Sequence, residues 1–439
     1  MKELILIADA SRKYAQITAR RIRERDVYCE VVALEKLLES IEAEKPVGIV
    51  LTGSEEHTGS FSGEMKSKLL SYDIPILAIG AAAAAYESAV YPFRISSANP
   101  SLLGEAAMDE VADFLFELCG CTGNYTAVDF VNDKVKELQE EIGDKKVICG
   151  LSGGIDSTVS AVLIHQAIGK NLKNILVDTG LMRKNECKKV MAVLSNSFEM
   201  DVVLVEAQDR FLEALKGVTD PEQKRKIIGS LYIDIFREEA DKIGDIDYLA
   251  QGTIYSDVLE SGVDGAGSVK SHHNVGGLPA HVPFKLVEPV RFLFKDEVRR
   301  VGAALGLPES FVRRQSFPGP GLGIRCLGEL TKERLDILRE CDAIVTEELE
   351  KTDLPLLRMQ YFAILPNLRS VGVIDGNRTY LETVAIRAIY SLDMVTADYV
   401  RIPYDVLDII TGRITSTVPQ INRVVLDISP KPPSAIEWE

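Results

Sequence analysis

Short apolar runs alternate with amphipathic stretches along the first 120 residues. Four runs have the length and composition of buried strands, at residues 4–7, 27–32, 48–51 and 74–79. Between the first two, apolar Ile17, Ala19 and Ile22 predict a helix over 14–25 that is buried on one face. Strands and helices in this order are typical of a parallel, doubly wound α/β sheet.

The same alternation returns after residue 125. Apolar runs at 147–151, 175–178, 202–205 and 248–252 predict a second parallel sheet, with helices over 129–142 and 157–168 and another that opens at Pro221. The carboxyl ends of parallel strands meet at one edge of a sheet. We therefore expect residues 152–158, Asp178 and residues 251–257 to share a face.

Beyond Gly328 the pattern changes to α+β. It predicts helices over 331–349 and 380–391, and strands at 361–365, 371–373, 413–414 and 423–428. The tail 431–439 contains two prolines together with Ile436 and Trp438, which favours a docked extension over a disordered end. We expect three domains, at 1–120, 125–315 and 316–439, with a linker around 119–123.

Composition narrows the class of protein. The chain has 439 residues, of which 46% are apolar and 26% charged, and its net charge of −16 argues against wrapping nucleic acid. The longest apolar run, at 74–86, is too short to cross a bilayer, and no secretion signal opens the chain. We expect a cytoplasmic protein without a membrane partner. Seven scattered cysteines argue against a disulfide framework.

The stretch from Val147 to Thr158 carries the clearest chemistry. A buried strand leads into Ser152-Gly153-Gly154, and a helix with hydroxyl side chains follows. Glycines let the backbone approach an anion, and a helix N-terminus offers N–H groups, so the pattern favours a phosphate-binding loop over an ordinary strand-to-helix turn. It lacks the lysine of a Walker loop. Asp156 in the turn suits Mg²⁺ on a pyrophosphate.

Two later stretches carry an unusual density of hydrogen-bond donors. Residues 268–278 include Lys270 and His272 in an irregular segment, and residues 313–325 form a Pro- and Gly-rich loop flanked by three arginines. The first stretch fits recognition of a phosphate or a base edge, and the second fits clamping of a phosphate. A solvated loop is the alternative for the first stretch, and an interdomain hinge is the alternative for the second.

These residues resemble the GMP synthase family of the N-type ATP pyrophosphatases. Residues 152–158 match the pyrophosphate loop of that family, and similar strings occur at 177–186, 217–229, 251–261, 270–279, 317–322, 371–380 and 422–439. The resemblance covers about residues 105 to 439. Small departures fall at Ser316, where the family usually has Pro, and at 375–377, where it usually has Gly-Asp-Gly.

The resemblance implies ATP-dependent amination of XMP to GMP through an adenylyl-XMP intermediate, with release of AMP and pyrophosphate. It implies ATP and Mg²⁺ as cofactors, Asp156 and Lys270 as catalytic residues, Asp156 as the Mg²⁺ ligand, and a homodimer formed by the C-terminal domain. The implied ATP contacts are Ser152, Gly153, Gly154, Ile155, Asp156, Ser157, Thr158 and Val177. The implied XMP contacts are Arg225, Lys270, His272, Gln315, Lys431, Ile436 and Glu437.

The N-terminal residues resemble the class I glutaminase of that family in a reduced form. Gly80 stands where the family has its nucleophilic cysteine, and Asn99 and Ser101 stand where it has histidine and glutamate. The domain is also shorter than its counterpart. We therefore expect no glutaminase triad, and ammonia that is either free or supplied by a separate glutaminase.

Two other functions remain open from the sequence. One is a different enzyme with the same loop, such as NAD synthetase or a tRNA-thiolating enzyme. The acidic net charge and the lack of a catalytic Cys pair weigh against the tRNA enzyme, and the tail weighs against both. The other is a non-catalytic nucleotide sensor, which the intact loop with Asp156 disfavours.

Overall fold

The computed structural model describes residues 3–9, 12–53, 63–80, 82, 93–96, 110–261, 284–391 and 396–439. The chain divides into two compact units. The first unit contains residues 1–134, 254–268 and 290–297, and the second contains residues 135–253, 269–289 and 298–439.

The first unit is built on a parallel sheet, as predicted, and the sheet has a fifth strand, at 93–96, that the sequence did not predict. Its strands are β1 (Ile5–Asp9), β2 (Cys29–Ala33), β3 (Gly48–Gly53), β4 (Ile76–Gly80) and β5 (Phe93–Ser96), in the order β2-β1-β3-β4-β5. The connecting helices include α1 (Arg12–Arg23), α2 (Leu37–Glu44) and α3 (Glu64–Leu70). A π-helical turn, Phe114–Leu118, follows. Buried apolar side chains cover both faces of this sheet, which gives the strands their continuous hydrophobic runs.

The second unit contains another parallel sheet, which the sequence also predicted. Its strands are β6 (Val147–Leu151), β7 (Leu172–Asp178), β8 (Val202–Glu206), β9 (Tyr248–Ala250) and β10 (Lys285–Val287), in the order β10-β9-β6-β7-β8. The helices from this part of the chain are α4 (Ala127–Ile142), α5 (Ile155–Ile168), α6 (Glu186–Phe198), α7 (Gln208–Ala214), α8 (Pro221–Ile243), α9 (Tyr255–Ser261), α10 (Lys295–Ala304) and α11 (Glu309–Val312). Of these, α9 belongs to the first unit, as do residues 127–134 of α4 and residues 295–297 of α10. Pro221 opens α8 as predicted, and the Asp220 carboxylate caps it by accepting the Gln223 N–H at 2.8 Å.

A buried arginine joins distant parts of the first unit. Arg23, at the end of α1, is 1% exposed and donates to both carboxylate oxygens of Glu297 at 3.1 Å and to the Phe292 carbonyl at 2.9 Å. Its guanidinium also lies 4.6 Å from the centre of the Tyr28 ring. In the same unit, the Tyr255 hydroxyl accepts the Val31 N–H at 2.8 Å. Segments 254–261 and 290–297 are thus part of the N-terminal core, which the sequence did not predict.

The C-terminal part of the second unit is α+β, as predicted. Strand β13 (Asn377–Tyr390) lies at the centre of a sheet and pairs with β11 (Met359–Ile364), β12 (Arg369–Ile374), β14 (Asp398–Tyr399) and β15 (Ile421–Asp427). Its helices are α12 (Lys332–Leu349), capped by Thr331, and α13 (Tyr404–Thr417).

Two predictions for this part of the chain are wrong. Residues 380–391 were expected to form a helix, but they belong to β13, whose residues 382–389 are all buried. A strand buried on both faces has no alternation of polar and apolar residues, so its apolar run looks like that of a buried helix. Residues 413–414 were expected to be a strand, but they lie in α13, where Ile410 and Ile414 are buried at helical spacing.

Candidate active site

The predicted phosphate-binding loop has the strand-turn-helix geometry that its sequence indicates. It follows β6, the central strand of its sheet, and runs through residues 152–154 into α5. Gly153 has φ +77°, a conformation in which a side chain is strained, and Gly154 is extended at the N-cap of α5. The first N–H groups of a helix have no acceptor within it, so the start of α5 presents donors at this turn.

Hydroxyl side chains stabilise the turn from within. Thr158 donates through Oγ1 to the Gly154 carbonyl at 2.9 Å, and Ser157 donates to the same carbonyl at 3.2 Å. The Ser152 and Ser157 hydroxyl oxygens are 3.1 Å apart, and Ser152 Oγ accepts the Gly154 N–H at 3.3 Å. Ser157 and Thr158 are buried whereas Ser152 is exposed, so the first two shape the loop and Ser152 faces its open side.

The segment after β9 lies directly against the loop. A Cβ atom on Gly252 would stand 2.7 Å from the Ser157 backbone nitrogen, so only glycine fits this position. The prediction that residues 152–158 and the start of 251–257 share one edge of the sheet is confirmed within the second unit. Asp178, at the end of β7, accepts the Gly180 N–H at 2.9 Å and thereby orders the turn that follows.

The oxygen groups of this turn fit a hard divalent cation. Asp156 is partly buried in the first turn of α5, and the exposed Ser152 hydroxyl belongs to the same loop. Mg²⁺ prefers one or two carboxylates together with phosphate oxygens and water, which is the kind of donor set that Asp156 offers beside a bound pyrophosphate. Among the residues in the ranges above, no cluster of three or more His, Cys, Asp or Glu side chains forms a metal site of its own.

The three arginines of the loop 313–325 have separate partners. Arg314 donates to the Gly153 carbonyl at 2.7 Å and forms an ion pair with Glu186. Arg313 is exposed and pairs only with its helical neighbour Glu309 among the contacts that the structure describes, at 2.7 Å. Arg325 is buried and binds the Glu437 carboxylate at 2.8 and 3.0 Å. Among the described contacts of these three arginines, that of Arg314 reaches the phosphate-binding loop.

The tail is docked, as expected, and buried cations hold it. Arg387 donates to the carbonyls of Ala435 and Ile436, both at 2.7 Å, and to the Asp427 carboxylate at 2.6 Å. Lys224, on α8, forms an ion pair with the Glu439 side chain, whose other oxygen accepts the Gly328 N–H at 3.0 Å. A role for Lys224 was not predicted from the sequence. The acidic side chains of the tail are the signal that could indicate cationic partners, but they do not identify which ones.

The residues expected to contact XMP are only partly assembled in the described part of the chain. Lys270 and His272 lie outside the described residues. Arg225 contacts the tail through the Glu439 carbonyl, and Glu437 is held by Arg325. Ile436 packs beside the buried Phe362 and Ile364, while the Lys431 backbone pairs with that of Ala397. These contacts bring Arg225 and the tail together.

Two further predicted residues are largely enclosed. The Gln315 amide accepts the Tyr361 N–H and donates to the Tyr361 carbonyl, both at 2.9 Å, so a ligand can reach only its remaining N–H and lone pair. Val177, in β7, is 2% exposed. A contact between Val177 and ATP would therefore depend on its backbone.

No described residue supplies a glutaminase nucleophile at the expected strand end. Gly80 is the last residue of β4 and pairs with Gly53 of β3, at the carboxyl edge of the sheet. Asn99 and Ser101 lie outside the described residues. Burial raises the pKa of the Cys29 thiol to about 11, and burial likewise raises the pKa of Cys119 well above its usual range. Neither thiol has the lowered pKa that a nucleophilic cysteine needs.

Residues 347–438 match the family model described as GMP synthase C terminal domain, and residues 125–227 match the one described as NAD synthase. Along the described part of the chain, no helix is both long and apolar enough to span a membrane.

Full-length relatives are also found. A protein named GMP synthase [glutamine-hydrolyzing] from Clostridium tetani is 43% identical over 508 aligned positions, which cover 100% of both chains. Proteins of the same name from Clostridium botulinum and Alkaliphilus metalliredigens are 43% and 42% identical, again over 100% of both chains. The alignments are longer than the 439 residues of this chain, so these relatives contain segments without a counterpart here.

Among solved structures, the NH3-dependent NAD synthetase from Campylobacter jejuni is 19% identical, with a TM-score of 0.33. The match covers 53% of this chain and 87% of that one.

Proposed function

The chain belongs to the GMP synthase family, and on that premise we propose that it converts XMP to GMP with ATP, releasing AMP and pyrophosphate. It is a ligase that forms a carbon–nitrogen bond. The observation that carries the proposal is the 43% identity over the full chain, because it includes both the loop 152–158 and the tail 431–439. The geometry of the loop supports it, since buried hydroxyls and α5 hold N–H donors at one turn.

The reaction needs positioning and charge neutralisation more than covalent catalysis. The C2 oxygen of XMP attacks the α-phosphorus of ATP, and the bond from that phosphorus to the bridging oxygen breaks. The pyrophosphate leaves into the N–H groups between Ser152 and Thr158. Ammonia then adds to C2, AMP leaves with the former C2 oxygen, and loss of a proton gives GMP.

Asp156 and Lys270 are proposed to carry the charge-dependent part of this step. Asp156 would bind Mg²⁺, which neutralises charge on the pyrophosphate. The position of Asp156 in the first turn of α5 supports this assignment. Lys270 would offset negative charge on the transferred group, an assignment that rests on the resemblance alone.

XMP is proposed to bind Arg225, Lys270, His272, Gln315, Lys431, Ile436 and Glu437. The contact of Arg225 with the Glu439 carbonyl supports a pocket formed between the start of α8 and the tail. Buried Lys224, Arg325 and Arg387 hold the tail beside Arg225. Docking of the tail thus assembles part of the XMP site before XMP arrives, which reduces the ordering cost of binding.

The ammonia is proposed to be free or supplied by a separate glutaminase. Gly80 at the end of β4 supports this, since it has no side chain to form a thioester. The N-terminal sheet would then persist as a structural layer, and the burial of Arg23 and Tyr255 in its core supports that role. A cytoplasmic location stays a prediction of the sequence.

The NAD synthetase alternative is weaker. The NAD synthase match covers residues 125–227. This part of the chain contains the loop 152–158, which NAD synthetase is expected to share, so the match does not favour that enzyme. The GMP synthase match at 347–438 covers the tail, where the purine nucleotide is expected to bind. A non-catalytic sensor would not turn over ATP, so formation of AMP and pyrophosphate separates an enzyme from a sensor.

Incubation of the purified chain with ATP, XMP, Mg²⁺ and ammonium is expected to give GMP, AMP and pyrophosphate in equal amounts. Chromatography of the nucleotides and an enzymatic pyrophosphate assay measure the three products. The control replaces XMP with nicotinic acid adenine dinucleotide, the substrate class of the alternative, and should give no AMP. A folded preparation that binds ATP but forms no GMP would refute the proposal.

A homodimer through the C-terminal sheet is proposed as well. Val371 of β12 lies opposite Tyr380 of β13, and Val373 lies two residues further along the same face. All three are exposed in the single chain, Val373 to 72%. Apolar side chains exposed together on one face are typical of a protein–protein interface.

The substitution Val373→Glu is expected to shift the chain from dimer to monomer, because it places a charge within the apolar face. Sedimentation velocity measures the change. The matched control is Tyr404→Glu, which alters an apolar residue that is 85% exposed at the start of α13. A Val373→Glu variant that stays dimeric would place the interface elsewhere.

A further inference from the structure

An arginine from outside the loop 152–158 holds the backbone of that loop. Arg314 Nη1 donates to the Gly153 carbonyl at 2.7 Å, and Nη2 pairs with the Glu186 carboxylate. The Arg314 side chain is 19% exposed and that of Glu186 is 6% exposed. The Arg314 carbonyl in turn accepts a hydrogen bond from Arg299 at 3.2 Å. Both the guanidinium and the backbone of Arg314 are therefore held in place.

The guanidinium keeps its charge in this setting. Burial, and to a smaller extent Arg183, lower the pKa of Arg314 to about 10, so the group is protonated at neutral pH. Arg183 itself pairs with Asp342 at 3.0 Å, which leaves Glu186 as the ion-pair partner that the structure gives Arg314. A charged donor makes a stronger hydrogen bond to a carbonyl than a neutral one does.

The Gly153 carbonyl belongs to the same peptide group as the Gly154 N–H. In a trans peptide the C=O and N–H point in opposite directions, so fixing one fixes the other. Gly153 has φ +77° and no side chain that would restrict this peptide group. The orientation of the peptide group therefore depends on contacts with other residues. The Gly154 N–H now reaches the Ser152 hydroxyl at 3.3 Å, a long bond that a phosphate oxygen can replace.

We infer that Arg314 is a positioning residue for pyrophosphate binding: it holds the Gly153 carbonyl so that the Gly154 N–H faces the anion, and Glu186 holds Arg314. The inference rests on the proposed function, because it assigns a role within the ATP site. It extends that function to two residues that do not belong to the loop. Arg314 acts here through the backbone and not by contact with the nucleotide.

The rival role for Arg314 is direct contact with pyrophosphate. Glu186→Gln separates the two roles because they predict changes of opposite sign. If Arg314 bound the anion directly, removal of the nearby carboxylate would free the guanidinium and tighten binding. If Arg314 positions the peptide, loss of its ion-pair partner loosens the carbonyl contact and weakens binding.

The test measures binding of Mg²⁺-pyrophosphate and of Mg²⁺-ATP to the full chain by isothermal titration calorimetry, together with KM for ATP and for XMP. Arg314→Met should weaken both ligands by about tenfold to a hundredfold, as expected for a lost charged hydrogen bond. Glu186→Gln should weaken both in the same direction by a smaller factor. Arg314→Lys should recover part of the loss, because lysine keeps the charge without the forked geometry.

The matched control is Arg313→Ala, which removes the neighbouring exposed arginine and should leave binding unchanged. KM for XMP should stay constant in all these variants, which a general folding defect would not allow. Unchanged binding in Arg314→Met, or tighter binding in Glu186→Gln, would overturn the inference. A wild-type chain that binds neither ligand would instead contradict the proposed function.

Discussion

With glutamine as the only nitrogen source, the purified chain is expected to form no GMP above background. Hydrolysis of the glutamine amide by a class I glutaminase requires a thiolate, an imidazole that transfers its proton, and a carboxylate that orients the imidazole. The resemblance predicts that Gly80, Asn99 and Ser101 occupy these three positions. Loss of a nucleophile typically lowers such a rate by about 10⁶, which leaves no useful ammonia.

The cysteines of the chain offer no replacement. All seven lie in the described residues, and burial raises the pKa of each one, for example that of Cys149 to about 12 and that of Cys121 to about 11. At neutral pH these thiols are protonated and weakly nucleophilic. The test measures glutamate release from glutamine in the presence of ATP and XMP. Ammonium added to the same mixture is the control and should start GMP formation.

Glutamate release at a rate near that of the ammonium-driven reaction would contradict this prediction. The search for a nucleophile would then turn to Ser and Thr side chains. If a second protein supplies ammonia in the cell, mixing that glutaminase with this chain should restore glutamine-dependent synthesis without any change in the ammonium-dependent rate.

The substitution Asp156→Ala is expected to remove adenylyl transfer almost completely. A cation bound at this carboxylate would stabilise the charge that develops on pyrophosphate by several kcal/mol. Since each 1.4 kcal/mol corresponds to a factor of ten, the rate should fall by at least about 10³. XMP-dependent exchange of labelled pyrophosphate into ATP measures this step alone. The fold should persist, because Asp156 is only partly buried and lies in the first turn of α5.

Lys431→Ala provides the matched comparison. If its ammonium meets the phosphate of XMP, the variant should bind XMP more weakly by about 1.5–3 kcal/mol yet exchange pyrophosphate normally at saturating XMP. Asp156→Ala should show the reverse, with XMP affinity retained and exchange lost. Normal XMP affinity in Lys431→Ala would exclude Lys431 from the pocket, and normal exchange in Asp156→Ala would exclude its role as the cation ligand.

The elements that could be predicted from the sequence are those that depend on residues close together in the chain. The loop 152–158 is predictable because Gly153, Gly154 and a following apolar helix act within a dozen residues. The strand β13 is not, because burial on both faces removes the alternation that marks a strand. Residues 377–390 form a strand because they pair with other strands, such as β15, whose residues come 30 or more positions later in the chain.

The candidate site divides in the same way. The phosphate-binding loop and the docked tail can be predicted from the sequence, whereas the side chains that hold them in place cannot. Arg314 and Gly153 are 161 residues apart, and Lys224 and Glu439 are 215 apart. Arg313 and Arg314 are adjacent residues of the same type, so the sequence does not distinguish them. The fold does, because Arg314 contacts the loop 152–158 and Arg313 is exposed.

The most direct test of the proposed reaction follows one oxygen atom. XMP labelled with ¹⁸O at C2 is incubated with the chain, ATP, Mg²⁺ and ammonium, and the products are analysed by mass spectrometry. Attack of the C2 oxygen on the α-phosphorus predicts unlabelled GMP, unlabelled pyrophosphate and AMP that carries one ¹⁸O in its phosphate. Label in the pyrophosphate, label retained in the purine product, or AMP without label would contradict the proposed reaction.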